Sequence, residues 1–377
     1  MIYLDNSATT KPCESAIKAL EKAMTSTWGN PSSLYGLGVD AENLINETRL
    51  RIANLINARE DEIFFTGSGT EANNLAIIGA VNLMKRRGNK IITTSVEHPS
   101  VLNTCSFLEQ YGFEVVKVKP QADGNINADN ILSEVDDKTI LVTMMLVNNE
   151  TGCIFPVREI ADGLKNKKSI ALLHTDCVQA FGKINIDVEE LGADLLTASG
   201  HKIHGPKGIG FLFKRKNIAL KPIIHGGNQE KGLRSGTEPV PLIASFGGAL
   251  DELNIEQSFN KVKELHTYAY EKLSNIDGVL INSPKDGTLP YIINISVQGL
   301  RSETLLHFLE SREIYVSSGS ACSKGKGSHV LSEMSLNADR TDSALRISFS
   351  KNNTTDDIDT LICALKLAQT ILCRKGH

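Results

Sequence analysis

The sequence of 377 residues lacks the features that mark several large classes of protein. Its seven cysteines are an odd number at wide spacings and include no Cys-x-x-Cys pair, which argues against a disulfide framework and a structural zinc site. Positive charge is not in excess, because 40 Lys and Arg residues against 44 Asp and Glu residues give a formal net charge of −4. We therefore expect no direct nucleic-acid partner, and the cysteines fit a reducing compartment.

Long hydrophobic runs are also missing. The longest apolar stretch, near residues 140–147, is too short to cross a bilayer. Residues 1–5 contain no basic region that leads into an apolar run, as a secretory signal would. The expected location is therefore the cytoplasm, with no membrane partner.

The composition and the apolar pattern that are present indicate an α/β protein. Apolar residues make up 41% of the chain and charged residues 22%, which is typical of a globular protein with a large core. In the first three-fifths, short apolar runs alternate with helical segments, which favours a mostly parallel sheet covered by helices. The expected strands are 63–65, 91–92, 115–116, 140–147, 170–173, 195–196 and 209–213.

The pattern changes after about Thr237. One long helix over about residues 242–273 is expected, followed by strands at 291–297, 314–316 and 345–349. A last helix begins near Thr355 or Asp356. The C-terminal third is therefore predicted to be a smaller α+β domain, and the length of the chain fits two domains.

Residues 66–72, with the sequence TGSGTEA, join a predicted strand to a predicted helix. The free backbone N–H groups and the helix dipole make such a junction an anion site, and glycine allows close approach. The segment also fits the G-x-G-x-x-A fingerprint of a dinucleotide site, with Glu97 as a candidate ribose ligand. An ordinary tight turn is the competing interpretation.

Two further segments place polar side chains after predicted strands. Lys202 lies among small residues and hydroxyls, and a lysine in such a place can form a Schiff base if its amine is kept partly neutral. The competing interpretation is a solvated surface lysine, as most lysines are. His201 and His204 suggest a metal site, but no third ligand is evident and no metal is expected. Asp176 suits pairing with a protonated pyridine nitrogen or, more commonly, capping of a following helix.

Cys322 has the sequence context best suited to a nucleophile. It lies in the small, polar stretch 317–329, where Lys324, Lys326 and His329 favour a thiolate. The other six cysteines are expected to serve mainly structural roles: Cys13, Cys105, Cys153, Cys177, Cys363 and Cys373.

Together these segments resemble the cysteine desulfurases of the class V aminotransferase-like, pyridoxal-phosphate-dependent (fold type I) family. The resemblance runs nearly from end to end, and the ordered set of motifs is far more specific than any one of them. The motifs are 3–10 (YLDNSATT), 29–33 (GNPSS), 69–74 (GTEANN), 97–100 (EHPS), 147–152 (VNNETG), 176–179 (DCVQ), 199–202 (SGHK), 234–237 (RSGT), 318–322 (SGSAC) and 345–349 (LRISF).

The resemblance implies that the cofactor is pyridoxal 5′-phosphate. Lys202 would hold it as a Schiff base and, once released by substrate, would move protons. Asp176 would pair with the pyridine nitrogen, and Gln179 would hydrogen-bond the phenolic oxygen. His98 would stack on the ring and assist proton transfer, while Asn149 would touch both cofactor and substrate.

The resemblance also implies a phosphate site, a substrate clamp and a homodimer. Arg346 would bind the substrate carboxylate as a bidentate fork. Thr237 would reach the phosphate of the other subunit, so that the active sites are shared. The residues that would hold the phosphate within one subunit are Gly69, Thr70, Ser199 and His201.

The implied reaction converts L-cysteine to L-alanine and leaves a persulfide on Cys322. The sulfur would then pass to an acceptor protein, either a scaffold for iron–sulfur assembly or an enzyme of tRNA or cofactor thiolation. Other hypotheses are a selenocysteine lyase or another pyridoxal-dependent β-lyase, and a non-catalytic sulfur-trafficking partner. An NAD-dependent oxidoreductase built on residues 67–72 is a further alternative.

Three features depart from the family pattern. Tyr35 replaces a His of many relatives, Ser350 stands where Gly is common, and the segment 322–329 is slightly short. None of them touches the core chemistry, but the short segment bears on the choice of acceptor. The expected domains are a large cofactor domain, 15–255, and a small domain of 1–14 with 256–377 that carries Cys322 and Arg346.

Overall fold

The computed structural model describes residues 1–318 and 327–372, and this part of the chain contains twelve strands and thirteen α-helices. The strands are β1 (Ile2–Tyr3), β2 (Ile63–Thr66), β3 (Lys90–Thr94), β4 (Glu114–Val118), β5 (Thr139–Met145), β6 (Leu172–Asp176), β7 (Leu195–Ser199), β8 (Gly210–Lys214), β9 (Val279–Ile281), β10 (Ile292–Val297), β11 (Ile314–Tyr315) and β12 (Ala344–Ser348).

The helices cover the sheets and join their strands. They are α1 (Glu14–Ser26), α2 (Gly36–Leu55), α3 (Gly69–Met84), α4 (Pro99–Glu109), α5 (Ala128–Ser133), α6 (Val157–Asn166), α7 (Val188–Leu191), α8 (Val240–Asp251), α9 (Ile255–Ser274), α10 (Ser302–Glu310), α11 (His329–Glu333), α12 (Ala338–Asp342) and α13 (Thr355–Leu372).

The main sheet has seven strands in the order β2–β8–β7–β6–β5–β3–β4. The five strands from β7 to β4 in this order are parallel, and β8 is antiparallel to both of its neighbours. Because β2 and β7 both run opposite to β8, the carboxyl ends of β2, β3, β5, β6 and β7 meet at one edge. The predicted α/β fold with a mostly parallel sheet is confirmed, and this edge is where ligands bind in such sheets.

The C-terminal part of the chain forms its own antiparallel sheet, in which β10 lies between β9 and β12. The N-terminus joins it, because β1 pairs with β11 and Ser348 donates its backbone N–H to the carbonyl of Leu4 at 2.7 Å. Apolar side chains of both sheets, such as Met144 and Leu345, belong to one contiguous core. The domain limits at residues 14 and 255 stay a prediction.

Two of the sequence-based boundaries are wrong. The single long helix over 242–273 is two helices, α8 and α9, because the Asn254 side chain caps the start of α9 by accepting from the Gln257 N–H at 3.0 Å. The strand expected at 170–173 lies at Leu172–Asp176, since Ile170 is 37% exposed and precedes the sheet. The later position brings Asp176 into the strand itself.

Candidate active site

A cavity of about 360 Å³ opens at the carboxyl edge of the main sheet. Its volume lies in the range of small-molecule sites, which is roughly 300–1,000 Å³. Predicted site residues from both ends of the chain line it: Gly69, Thr70, His98, Asn149, Asp176, Gln179, Ser199, His201, Lys202 and Arg346. The fold therefore brings together ten positions that the sequence separates by up to 277 residues (346 − 69).

One end of the cavity is an anion site at the start of α3. Ser68 caps this helix by accepting from the Glu71 N–H at 3.1 Å, and the helix is 16 residues long. A Cβ at Gly69 would lie 2.8 Å from Cγ2 of Val178, so any larger residue would force Val178 to shift. The free N–H groups and the positive end of the helix dipole favour a phosphate, and Ser199 lines the same cavity.

His201 lies beside this anion site. Burial, with a further contribution from the charge of Lys202, lowers the pKa of His201 to about 3. Its Nδ1 is 3.1 Å from Oγ1 of Thr9. The imidazole is therefore neutral at physiological pH, and a neutral ring can still donate one hydrogen bond.

Asp176 ends β6 with both carboxylate oxygens held in place. Asn73 donates its Nδ2 to Oδ2 at 2.7 Å, and the Val178 N–H donates to Oδ1 at 2.9 Å. Asn73 is fixed in turn by the hydroxyl of Thr197, which donates to its Oδ1 at 2.5 Å. No α-helix begins here, since the next is α7, so the helix-capping interpretation of Asp176 is wrong.

Lys202 lies in a short 3-10 turn, Gly200–Lys202, that follows β7 directly. Its Nζ donates to the carbonyl oxygens of Ser7 at 2.5 Å and Ala8 at 2.8 Å. Ser7 and Ala8 belong to the N-terminal motif 3–10, and both line the cavity at the carboxyl edge of the sheet. The half-buried amine is thus held at the cavity wall, and the interpretation of Lys202 as a freely solvated lysine is wrong.

His98 caps the start of α4 and faces the same cavity. Its Nδ1 accepts from the Ser100 N–H at 3.1 Å, which places the ring proton on Nε2 in the neutral form. Burial lowers the pKa of His98; the charge of Asp176 acts in the opposite direction, and the charges of Lys202 and His329 lower the pKa further. The ring is therefore a flat, neutral surface with one donor.

Arg346 supplies a buried cation on β12, and its relative exposure is 3%. Its Nη1 donates to the carbonyl oxygen of Asn149 at 2.9 Å, and its Nη2 pairs with the Asp5 carboxylate at 2.9 Å. Among the described residues, Nε finds no acceptor although it is buried. A guanidinium with an unused donor beside a cavity is suited to a carboxylate ligand.

Two predicted site residues are not placed in this cavity. Thr237 is exposed and does not line it. Cys322 lies outside the described residues, as does Cys373. Two described residues on either side of Cys322 are anchored to residues that line the cavity. The Ser317 N–H donates to the carbonyl oxygen of Arg346 at 3.1 Å, and the Ser328 hydroxyl donates to the Glu150 carboxylate.

The other cysteines have the settings expected of structural residues. Burial raises the pKa of Cys105 to about 12 and that of Cys153 to about 11. It also raises the thiol pKa of Cys177 and of the half-buried Cys13. Cys363 is exposed on α13. A raised pKa opposes thiolate formation, so none of the four with raised values is suited to nucleophilic attack.

Glu97 is not suited to be a ribose ligand, because it is fully buried and does not line the cavity. Its Oε1 accepts from the Met145 N–H at 3.0 Å and from the Thr94 hydroxyl at 2.7 Å, while Oε2 is buried without a partner among the described residues. Burial raises the pKa of Glu97 to about 8. The carboxyl therefore joins β3 and β5 through hydrogen bonds to Thr94 and Met145, and the proposed dinucleotide constellation does not form.

The sequence does not place several residues at the cavity. His329, predicted above to favour a thiolate on Cys322, also lines the cavity, with Nε2 at 3.2 Å from the carbonyl oxygen of Glu97 and Nδ1 at 3.9 Å from the Glu150 carboxylate. Asp5 and Asn73 stand inside quoted motifs, which could have singled them out. The burial of Lys183 could not be predicted, because its neighbours in the sequence do not distinguish it from a surface lysine.

Within residues 1–318 and 327–372, no three His, Cys, Asp or Glu side chains cluster to hold a metal ion. The two histidines have different partners: Nδ1 of His204 is 3.0 Å from the carbonyl oxygen of Lys11, and Nδ1 of His201 is 3.1 Å from Oγ1 of Thr9. No helix there combines the length and apolar character that crossing a bilayer requires.

Comparison with known proteins assigns the chain to a family. The model of the family "Aminotransferase class-V" matches residues 2–361. The cysteine desulfurase IscS of Methanosarcina thermophila is 38% identical over 365 residues, which cover 96% of this chain and 90% of that protein. The chain belongs to the class V aminotransferase family, as predicted.

Solved structures agree with this assignment. A NifS-like protein superposes with a TM-score of 0.93 at 33% identity and covers 98% of this chain and 99% of its own. A structure entitled "SspA in complex with cysteine" superposes with a TM-score of 0.83 at 34% identity, over 94% of this chain and 100% of its own. These likenesses confirm the predicted fold.

Proposed function

We propose that the protein is a cysteine desulfurase, which releases L-alanine from L-cysteine and passes the sulfur to an acceptor protein. The single observation that carries the proposal is the convergence of Lys202, Asp176 and Arg346 on one cavity. An amine, a pyridine partner and a carboxylate clamp are the groups that an amino-acid reaction on pyridoxal phosphate needs. Full-length relatives that bear the name cysteine desulfurase support the choice of reaction.

The residues of the cavity fit pyridoxal phosphate as the cofactor. The start of α3 with Gly69 and Ser199 would receive the phosphate, and Asp176 would face the pyridine nitrogen. His98 would stack on the ring, and Lys202 would bond to the aldehyde carbon. Bound there, the cofactor supplies an electron sink for the electron pair left when the substrate loses its α-proton.

Lys202 acts as the proton carrier. Once the substrate amine has replaced it, its Nζ can take the α-proton and return a proton to another atom. The carbonyl oxygens of Ser7 and Ala8 are the acceptors that hold this Nζ at the cavity wall between transfers. His98, neutral because burial lowers its pKa, offers Nε2–H without adding positive charge.

Arg346 orients the substrate. Its Nη groups are already fixed by Asn149 and Asp5, so the guanidinium enters the reaction with little conformational freedom to lose. The carboxylate of L-cysteine would receive hydrogen bonds from this cation, which lines the same cavity as Lys202. Orientation of this kind contributes directly to the rate.

Cys322 is proposed as the sulfur acceptor within the chain. Its thiolate attacks the substrate sulfur, a sulfur–sulfur bond forms as the carbon–sulfur bond breaks, and the carbon takes a proton to become alanine. The anchoring of Ser317 and Ser328 to residues of the cavity supports a nucleophile supplied by the segment between them.

The protein is further proposed to act as a homodimer in the cytoplasm. Apolar side chains stand exposed in one stretch of the chain around the loop between α1 and α2, including Trp28 at 64% and Leu34 at 99%. Exposed apolar groups of this size mark interfaces. Thr237, which its own cavity does not use, would then complete the partner's phosphate site. The downstream acceptor is either an iron–sulfur scaffold or a thiolation enzyme.

The test is turnover of L-cysteine by the purified protein loaded with pyridoxal phosphate. We expect alanine and sulfide in equal amounts with a thiol reductant, loss of the bound-cofactor absorbance band in Lys202→Ala, and retention of that band without turnover in Cys322→Ala. Cys363→Ala, at an exposed position on α13, is the matched control and should keep full activity. Turnover by Cys322→Ala at the wild-type rate would contradict its role, and faster alanine release from selenocysteine would favour the lyase.

A further inference from the structure

Lys183 is a buried lysine close to the active site to which the family motifs give no role. It lies in the turns that follow β6, and only 5% of its surface is exposed. Burying an ammonium without a carboxylate is costly, so a lysine in this position requires an explanation. Among the described residues, no carboxylate lies within ion-pair distance of its Nζ, and the charges that act on it most are the cations Lys202 and Arg346.

The hydrogen-bond partner of Lys183 is the amide of Gln179. Nζ donates to Oε1 at 2.9 Å, and the ring centroid of Tyr291 lies 5.6 Å from the same Nζ. Gln179 is itself buried, and its Nε2 donates to the carbonyl oxygen of Ser7 at 3.0 Å. That carbonyl also accepts from Lys202, so Lys183 and Lys202 are joined through one amide and one carbonyl oxygen.

This arrangement decides which way the Gln179 amide points. An amide has a donor end and an acceptor end, and an ammonium can only donate. Because Lys183 holds Oε1, the end of Gln179 that faces Ser7 and the cavity must be Nε2, a donor. A donor is what an anionic phenolic oxygen of the cofactor requires, and polarisation by the neighbouring cation strengthens it.

We propose that Lys183 is a positioning residue of the active site: its ammonium holds the Gln179 amide with Nε2 toward the cofactor and adds positive charge to that contact. The inference rests on the proposed function, because it concerns the phenolic oxygen of bound pyridoxal phosphate. The positive charge also favours loss of the proton from the cofactor-bonded nitrogen of Lys202, since like charges oppose a second cation nearby.

The charge of Lys183 depends on what the neighbouring cavity holds. Burial, with the repulsion of Lys202 and Arg346, lowers the pKa of Lys183, and the anionic phenolic oxygen and phosphate of a bound cofactor would act in the opposite direction and favour the ammonium. Four further titratable groups line the small cavity that Lys183 shares with Lys202: His204, Glu252, Tyr291 and Lys351. Glu252 lies 3.9 Å from Lys351 and accepts from the Ser15 N–H, so its charge is already engaged.

The test measures the absorbance of the bound cofactor as a function of pH. Removing a positive charge should raise the apparent pKa of the absorbance transition in Lys183→Met by about one pH unit. Lys183→Arg, which keeps the charge, should move it back toward wild type. Lys90→Met is the matched control, because Lys90 is 7% exposed and paired with Asp136 at the opposite edge of the sheet, and it should leave the transition unchanged.

A second variant tests whether Gln179 mediates the effect. In a Gln179→Ala background, Lys183→Met should produce less than half of its original shift, because coupled residues are not additive. The affinity of each apoprotein for pyridoxal phosphate, followed by fluorescence, should fall several-fold in Lys183→Met and remain near wild type in Lys90→Met. A purely structural role of Lys183 would change thermal stability without moving the absorbance transition.

The outcomes separate this inference from the proposed function. Wild-type protein that binds no pyridoxal phosphate would overturn the function itself. Wild-type protein that binds the cofactor and turns over cysteine, together with an unmoved transition in cofactor-loaded Lys183→Met, would overturn the role of Lys183 alone. If Lys183→Met does not fold, Lys183→Gln removes the same charge and is judged against the same two results.

Discussion

The guanidinium of Arg346 forms an ion pair with the Asp5 carboxylate at 2.9 Å, which joins the fifth residue of the chain to a strand near its end. The pair is largely buried, with side-chain exposures of 4% for Arg346 and 19% for Asp5. Asp5 thereby occupies one edge of the guanidinium, while Nε is buried without an acceptor among the described residues. The pair fixes the guanidinium at the cavity, in the orientation in which we propose that it binds the substrate carboxylate.

Arg346→Lys should weaken substrate binding more than it slows chemistry. A lysine keeps the charge but cannot offer the planar fork of donors. Loss of one charged hydrogen bond costs about 1.5–3 kcal/mol, so KM for L-cysteine should rise roughly 10- to 150-fold. Steady-state kinetics of alanine release give this value, and Asp5→Asn should raise KM less, because the guanidinium remains. An unchanged KM in Arg346→Lys would exclude Arg346 as the carboxylate clamp.

Asp176→Asn should remove most of the activity while leaving the protein folded. The carboxylate favours the protonated form of the ring nitrogen by about one to three pKa units, so the rate should fall roughly 10- to 1,000-fold. Asn73→Ala, which deletes the donor at 2.7 Å from Oδ2, should cause a smaller loss in the same direction. Single-turnover kinetics with bound cofactor separate these effects from cofactor loss. Equal rates in Asp176→Asn and wild type would remove Asp176 from the mechanism.

Much of this site was open to prediction, because its residues stand in short motifs that follow buried strands. Apolar runs mark the strands, and a parallel sheet brings their carboxyl ends to one edge, so Asp176 and Lys202 could be placed together. Asp5 and Lys183 could not be placed in this way. The partner of Asp5 is Arg346, 341 residues away, and the partner of Lys183 is Gln179, 4 residues away. These contacts depend on how the N-terminus and the turn after β6 pack.

The wrong prediction of one long helix over residues 242–273 also has a local cause. Residues 242–273 are apolar at helical spacing throughout, so periodicity alone cannot detect the break at residues 252–254. The signal that ends α8 and restarts the chain as α9 is one side chain, Asn254, whose amide oxygen accepts from the backbone three residues later. Asn is a strong N-cap, so a capping residue inside a stretch with helical periodicity indicates that a second helix begins there.

Glu97→Gln should make the apoprotein less sensitive to pH. The folded state holds the Glu97 proton up to pH about 8, whereas the unfolded chain releases it near 4.5. Between these values the folded state binds more protons, so stability is fully present below pH 4.5 and falls as pH rises, by about 1.4 kcal/mol per pH unit for one proton. Gln keeps the acceptor for Met145 and cannot ionise, which removes this loss.

Urea unfolding of the apoprotein at pH 5.5 and pH 8 checks the prediction. Relative to wild type, Glu97→Gln should gain a few kcal/mol on going from the lower to the higher pH. Glu114→Gln, an exposed residue of β4, is the control and should show no such gain. A constant difference between Glu97→Gln and wild type at both pH values would show that the buried carboxyl does not carry the proton.

The shared active site can be tested by mixing two inactive proteins. Lys202→Ala lacks the amine, and Thr237→Glu places a negative charge where a phosphate would bind in the partner. A mixed dimer contains one subunit of each variant. If Thr237 acts across the interface, one active site carries both substitutions and the other active site carries neither. Mixing should therefore restore up to about half of the wild-type activity per mixed dimer, since one of two sites is whole.

The same dimer should depend on the exposed apolar stretch between α1 and α2. Leu34→Asp places a charge on a side chain that is 99% exposed in the single chain, and it should convert dimer to monomer in sedimentation velocity and abolish recovery in the mixing experiment. Leu367→Asp, on an exposed position of α13, is the matched control and should remain dimeric. If the two inactive proteins form mixed dimers without recovering activity, Thr237 acts within its own subunit or not at all.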